Sequence, residues 1–380
     1  VRGVRFTPDG ATLFYHTGND NFPEQPGTLL RAPAAGGAAA IVSTNVLKYA
    51  LAAEAGRVLY VTEGFPDQLS SAPITGGDVT PLGGTEESGT FLVSPDGNWV
   101  VYDNSAGIGG LGLVTQPVVG GTAVPLFESG SNFSPSAVLI SADGAYTLVG
   151  GLRLPITPSE QLTLQILRFP IAGGGSATLV ERSFPAEYTA DKITLSMDQS
   201  PGGGPLIYVL SVDVPDPNTV EHTLGSVPIA GGAPTALFGP SELSTVTLSF
   251  QISPDGATVL FVGAGNALYR VAAAGGTPAV KLSGDGPVFN PNFGFGSDGA
   301  ALFVEGPGLY RAPQGAPATR VDELPDGTLP SLAKQVGSTL VFTGARDRVP
   351  TPGNILVELY ATSVIADPKP FKLQLPLLRK

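Results

Sequence analysis

Short apolar runs recur along the chain, each behind a turn signal. Ala257–Val262 follows Ser253-Pro254-Asp255-Gly256, and its last four residues, Val259-Leu260-Phe261-Val262, are all apolar. Ala11–Tyr15 follows Thr7-Pro8-Asp9-Gly10, and Asn98–Tyr102 follows Ser94-Pro95-Asp96-Gly97. Weaker copies of the turn, Ser141-Ala142-Asp143-Gly144 and Ser297-Asp298-Gly299, precede Ala145–Val149 and Ala300–Val304. Arg57–Val61, Pro205–Leu210 and Ser338–Phe342 sit behind degraded glycine turns. Such runs, bounded by Pro, Asp and Gly, have strand length. A strand apolar at nearly every position needs cover on both faces, which a lone sheet cannot give.

A second motif falls later in each unit. Leu268-Tyr269-Arg270-Val271-Ala272-Ala273-Ala274-Gly275-Gly276 has relatives at Leu30–Gly37 and Leu167–Gly174, and further pairs at Gly76-Gly77, Gly120-Gly121 and Gly231-Gly232. Gly-Gly between strands predicts a two-residue hairpin turn, which needs positive φ. In the first turn the aspartate is expected to accept bonds from the turn's own amides. Each unit then reads as four antiparallel strands: A before Asp-Gly, B after it, C carrying Leu-Tyr-Arg, and D after Gly-Gly. Taking Gly10, Gly56, Gly97, Gly144, Gly204, Gly256, Gly299 and Gly337 as register, the units recur every 38 to 60 residues. That spacing is the signature of a repeat architecture.

Blades of this kind, stacked about an axis, cover both faces of every B strand. The predicted fold is all-β, a single β-propeller over 1–380. Eight blades are expected at about 1–43, 47–83, 89–128, 135–181, 191–238, 247–283, 291–323 and 329–374. Seven is the alternative count, since the longest step surrounds the fifth blade. The Ser-Pro-Asp-Gly turn, apolar strand, Leu-Tyr-Arg and closing hairpin resemble the WD-like repeat of TolB-type propellers across essentially the whole chain. The resemblance implies a propeller in a bacterial setting: periplasmic, outer-membrane-associated or extracellular. It implies no chemistry. The chain opens on Val1 in mid-pattern, which fits a processed start.

Composition narrows the function classes. Fifty-one Gly and 36 Pro in 380 residues exclude a mainly helical protein, while 42% hydrophobic residues exclude a disordered one. No 18-residue apolar run offers a transmembrane helix. A net charge of −12 repels phosphates, so no nucleic acid is expected as partner. Without cysteine there are no disulfides, thiolate metal sites or cysteine nucleophiles. Gly107–Gly112 and Gly294–Gly299 match Gly-x-Gly-x-x-Gly in letters only, because both join strand to strand and lack the helix that meets a pyrophosphate. His16 and His222 read as solvent-exposed loop imidazoles. The sharper reading makes Asp213, Asp216, Glu221 and His222 a divalent-cation set in the long fifth-blade loop. No cofactor is expected; Ca²⁺ is the cation such carboxylates would take. Asp9, Asp96, Asp143, Asp255 and Asp298 read as turn residues, and Arg31, Arg168, Arg270 and Arg311 as side chains lying over neighbouring blades.

The blade register also places charge. The D–A and B–C loops, which share one face, hold 22 acidic residues against six basic ones, a field that steers basic partners. The D–A acids Glu86, Glu87, Glu187, Asp191, Glu242, Asp322 and Glu323 are the candidate binding residues. The same face has the longest loops, at 16–28, 150–161, 181–192, 211–223 and 343–354, where a rigid scaffold places binding. Strand A should line the channel with Thr194, Ser196, Ser249, Gln251 and Lys334, a polar surface without a catalytic pair. The expected function is a non-enzymatic bacterial scaffold that binds a protein partner or a surface polymer through this acidic face. The alternative is a cation-dependent lactonase or hydrolase with a carboxylate-bound metal at the channel mouth. A third is self-assembly through apolar loop side chains such as Phe22, Phe65, Leu152, Leu154 and Ile156.

Overall fold

A computed structural model describes residues 2–18, 25–85, 90–104, 112–127, 132–157, 159–214, 220–243, 248–284, 286, 288, 293–306, 308–323, 329–336, 339–347, 355–363 and 371–373. Among these, the regular elements are strands apart from two single-turn 3-10 segments, Ala190–Lys192 and Ala264–Asn266. The chain forms two compact units, Val1–Ser183 and Phe184–Lys380. The described strands of the first make one seven-stranded and two four-stranded sheets, and those of the second make four four-stranded sheets. Every pairing is antiparallel between strands consecutive in sequence, so each sheet is a simple meander.

The seven-stranded sheet is two four-stranded units sharing one strand. Ala40–Ala52 pairs through its first half with Gly27–Pro33 and through its second half with Arg57–Thr62, and Val46 is partnered by both Gly27 and Thr62. The break expected between residues 43 and 47 is therefore not a break. The segment Ala40–Ala52 contains neither Gly nor Pro to end a strand, and it pivots at Asn45, whose φ of 55° is one that asparagine tolerates.

The Asp-Gly turns repeat one hydrogen-bond device. Ser253 Oγ donates to Asp255 Oδ1 at 2.6 Å and accepts the Thr258 amide at 2.9 Å, while Asp255 Oδ1 takes the Ala257 amide at 3.0 Å. Thr7, Ser94 and Ser141 build the same network on Asp9, Asp96 and Asp143. The distance from Ser94 to its aspartate is likewise short. Gly10, Gly97, Gly144 and Gly256 supply the positive φ that ends the turn. The Gly-Gly connections differ from expectation. They are not two-residue hairpins: between Gly27–Pro33 and Ala40–Ala52 six residues intervene, and the Gly36 amide donates to the Pro33 carbonyl to close a β-turn that ends on the first glycine of the pair. Positive φ at Gly36 and Gly37 is retained; the proline and alanines before them widen the turn.

Sheets pack face to face, and the B strands are covered twice. Val259 and Phe261 pack with Ile207, Val209 and Leu224 of the preceding sheet, while Leu260 and Val262 pack with Phe293, Ala301 and Phe303 of the next. Val100 and Tyr102 meet Leu59 and Val61, whereas Val101 turns to Val149 and Phe169. Period-two alternation sends successive side chains to opposite cores, which explains the absence of polar positions in these runs. A fully buried Phe261 contributes about 1.5–3 kcal/mol relative to exposure.

Two of the recurrent arginines tie one four-stranded unit to the next, Arg31 within the seven-stranded sheet and Arg270 between two sheets. Arg31 Nη1 donates to the Ile74 carbonyl at 3.0 Å, and Arg270 Nη1 to the Pro313 carbonyl at 2.7 Å. The other two also act inside their own sheets: Arg168 lies over the Tyr146 ring, and Arg311 pairs with Asp298. That turn carries Gly296 where the others carry Ser or Thr, and the guanidinium supplies the lost partner.

Candidate functional site

The loops expected at 150–161 and 211–223 are shorter than the sequence suggests. Tyr146–Arg153, Leu206–Asp213 and Val220–Val227 are eight-residue strands that run into them. This overturns the reading of both histidines. His16 lies on the strand Thr12–Thr17 and is buried, with Nε2 2.7 Å from the Val46 carbonyl. His222 is the third residue of Val220–Val227 and is 2% exposed. Each imidazole sits inside a sheet because the strands extend two to three residues past their apolar centres.

Around His222 the sheet carries a polar row. Thr194 pairs with Ser211, Ser211 with His222, and His222 with Ser241, so four polar residues cross all four strands at one level. Ser211 Oγ lies 2.7 Å from His222 Nδ1. His222 Nε2 is buried with no hydrogen-bond partner among the described residues. Burial holds the imidazole below the ordinary histidine range, with nearby Asp213 acting in the opposite direction. A cleft of ≈ 420 Å³ opens beside the row, with Thr194, Ser196, Ser211 and Ser249 as its hydroxyls and Leu195, Val209, Leu248 and Phe250 as its apolar walls. Thr194, Ser196 and Ser249, expected along the channel, border this cleft. Gln251, by contrast, is drawn to the Phe293 carbonyl at 2.8 Å. For Lys334 the structure describes only its backbone, opposite Val341.

Lys192 Nζ meets Asp213 Oδ2 at 3.8 Å, both about half exposed, next to this cleft in sequence. Glu187 is exposed on the turn Pro185–Tyr188, and Asp191 is exposed on Ala190–Lys192. The Thr189 hydroxyl lowers the Asp191 carboxyl below its usual range. Glu242 stands opposite Glu221 in the strand register. Asp322 and Glu323 lie opposite Leu309 and Gly308. Glu86, Glu87 and Asp216 lie outside the described residues. Glu221 and His222 are successive strand residues and face opposite sides of the sheet. Among the described residues no three His, Asp or Glu side chains gather closely enough to hold a metal ion.

In the first unit the B–C connections mix charge with exposed apolar surface. Phe65 is 99% exposed between Glu63 and Asp67; the loop is pinned where the Gly64 amide donates to Asp67 Oδ1 at 3.0 Å. Ile156 is 73% exposed, and its amide donates to Glu160 Oε2 at 2.8 Å. Leu154 is exposed as well. Leu152 is not: at 9% exposure it belongs to the strand Tyr146–Arg153. Phe22 lies outside the described residues. Sequence reading missed the Ser211–His222 pair, although the polar interruption of an apolar strand at Ser211 was its visible signal.

No protein-family model matches the sequence, and no curated protein does. Among solved structures, a eukaryotic initiation factor matches with TM-score 0.57 at 10% identity, over 98% of this chain and 88% of that one. The β-propeller domain of the trilobed protease from Pyrococcus furiosus matches with TM-score 0.41 at 12% identity, over 97% and 96%. TolB from Acinetobacter baumannii matches with TM-score 0.35 at 17% identity, over 70% of this chain and 61% of its own. The chain is an all-β protein, a β-propeller built of four-stranded antiparallel blades. No helix among the described residues is long and apolar enough to cross a membrane.

Proposed function

We propose that this propeller is an interaction module of the TolB-like type, working in the bacterial periplasm, at the outer membrane or outside the cell. It takes a protein partner or surface polymer of basic and apolar character on its B–C loops. The observation that carries this reading is Phe65, 99% exposed yet held on a loop pinned by Asp67 and flanked by Glu63. An aromatic ring fully in water has no folding role to explain it, and rigid aromatic side chains are the commonest anchors of protein contacts. The exposed Glu63 carboxylate beside it attracts a basic partner and repels acidic ones. Ile156 with Glu160 repeats the pairing on another loop of the same unit.

A fluorescent amphipathic Lys/Leu peptide is a suitable probe, titrated by anisotropy at low and high salt. Saturable binding that weakens with salt and drops about tenfold in Phe65→Ser supports the reading. Equal binding by wild type and Phe65→Ser, or preference for an acidic peptide of the same apolar pattern, contradicts it.

A further inference from the structure

We propose that Ser211 and His222 form a nucleophile–base pair, and that Ser211 accepts the acyl group of small uncharged esters entering the adjoining cleft. A serine hydroxyl becomes nucleophilic when a neutral base within hydrogen-bond reach can take its proton. Here Oγ and Nδ1 are 2.7 Å apart, and burial keeps the imidazole in its neutral, basic form. Ser211 faces the ≈ 420 Å³ cleft, whose apolar walls Leu195, Val209, Leu248 and Phe250 suit an acyl chain. Thr194, paired with Ser211 across the ladder and lining the same cleft, places a hydroxyl donor near the acyl oxygen. The buried Nε2 has no partner among the described residues. Such a group is costly to bury, and its retention beside a hydroxyl suits a chemical role better than a packing one.

The step balances without a co-reactant. Ser211 Oγ bonds to the acyl carbon as its proton passes to Nδ1; the bond to the alkoxy oxygen breaks, and that oxygen leaves as the alcohol with the proton from Nδ1. Water, deprotonated by the same nitrogen, then attacks the acyl-serine, releasing the carboxylic acid and restoring the hydroxyl. Asp213 acts on the imidazole from the neighbouring strand and pairs with Lys192, Glu221 faces away, and the facing segment brings the uncharged Leu248, Ser249 and Phe250. The residues lining the cleft carry no charge, which suits an uncharged ester.

The test is fluorophosphonate labelling of the whole protein, with adducts located by peptide mass mapping. Ser211 is expected to label roughly 10²-fold faster than Ser196 or Ser249 in the same cleft, the scale of general-base assistance. Its rate should fall as acid protonates His222, and His222→Gln should slow labelling by a similar factor. Thermal melting of that variant separates lost chemistry from lost fold, and the comparison of three serines in the wild type requires no variant. Labelling of Ser211 no faster than Ser196 and Ser249, or no adduct on any of them, overturns the proposal.

Discussion

Arg270 reaches out of its own sheet to donate to the Pro313 carbonyl at 2.7 Å, and the Ala312 carbonyl lies 3.3 Å from the same nitrogen. Arg31 makes the corresponding reach to Ile74. At these two positions the recurrent arginine is thus a clamp between consecutive four-stranded units, in which a rigid multi-donor guanidinium holds carbonyls of the next hairpin turn. Burial lowers the pKa of the Arg270 guanidinium, so its bonds to carbonyls replace lost water.

Replacing the clamp tests this role. Arg270→Ala should lower stability by about 1.5–3 kcal/mol, the range for hydrogen bonds to a charged group. Arg270→Lys should recover only part of the loss, because a single ammonium cannot copy the fork. Urea unfolding of the three proteins measures both.

The turn serines make a sharper comparison. Ser253 is 3% exposed and joins Asp255 to the Thr258 amide. Ser253→Ala leaves that amide without its partner and should cost about 1–3 kcal/mol. Ser297, exposed in the variant turn that Arg311 completes, should tolerate Ser297→Ala within about 0.5 kcal/mol. Thermal melting of the two variants side by side decides.

Much of this was legible because the repeat writes it several times. The strands after Asp-Gly, their double burial, and the aspartate turns follow from apolar runs and turn chemistry in the sequence. The shared strand Ala40–Ala52 was hidden because an absent Gly or Pro is a weaker signal than a present one. The buried histidines were hidden for a related reason. Strand ends depend on pairing with neighbours, and Ser211 finds His222 only through the register of two strands separated by a loop.

Acid should expose the cost of that buried imidazole. The folded-state pKa of His222 lies below its ordinary 6.5, so the unfolded chain binds the proton more readily. Stability is therefore unaffected by this group above pH 6.5 and declines as pH falls from there through the lower folded value. Chemical unfolding between pH 7.5 and 5 should show the decline, and His222→Gln should flatten it. The turn aspartates act in a separate window: burial raises the Asp96 carboxyl but its bonds to Ser94 and Asn98 outweigh it, the Ser141 hydroxyl lowers Asp143, and both lie below 3.8. Their contribution persists at neutral pH and disappears only as pH drops below that value.

Phe65→Ser should leave unfolding free energy unchanged within about 0.5 kcal/mol, because the ring is 99% exposed. The same substitution should weaken the Lys/Leu peptide about tenfold. Together, unfolding and anisotropy separate a contact residue from a folding residue.

The most direct test of the proposed role is hydrogen–deuterium exchange of the protein with and without the bound Lys/Leu peptide. Protection should concentrate on the B–C loops at residues 62–67 and 154–161. Protection on the Gly-Gly turns at 34–39 and 74–79 instead, with those loops unchanged, would contradict the assignment of this surface.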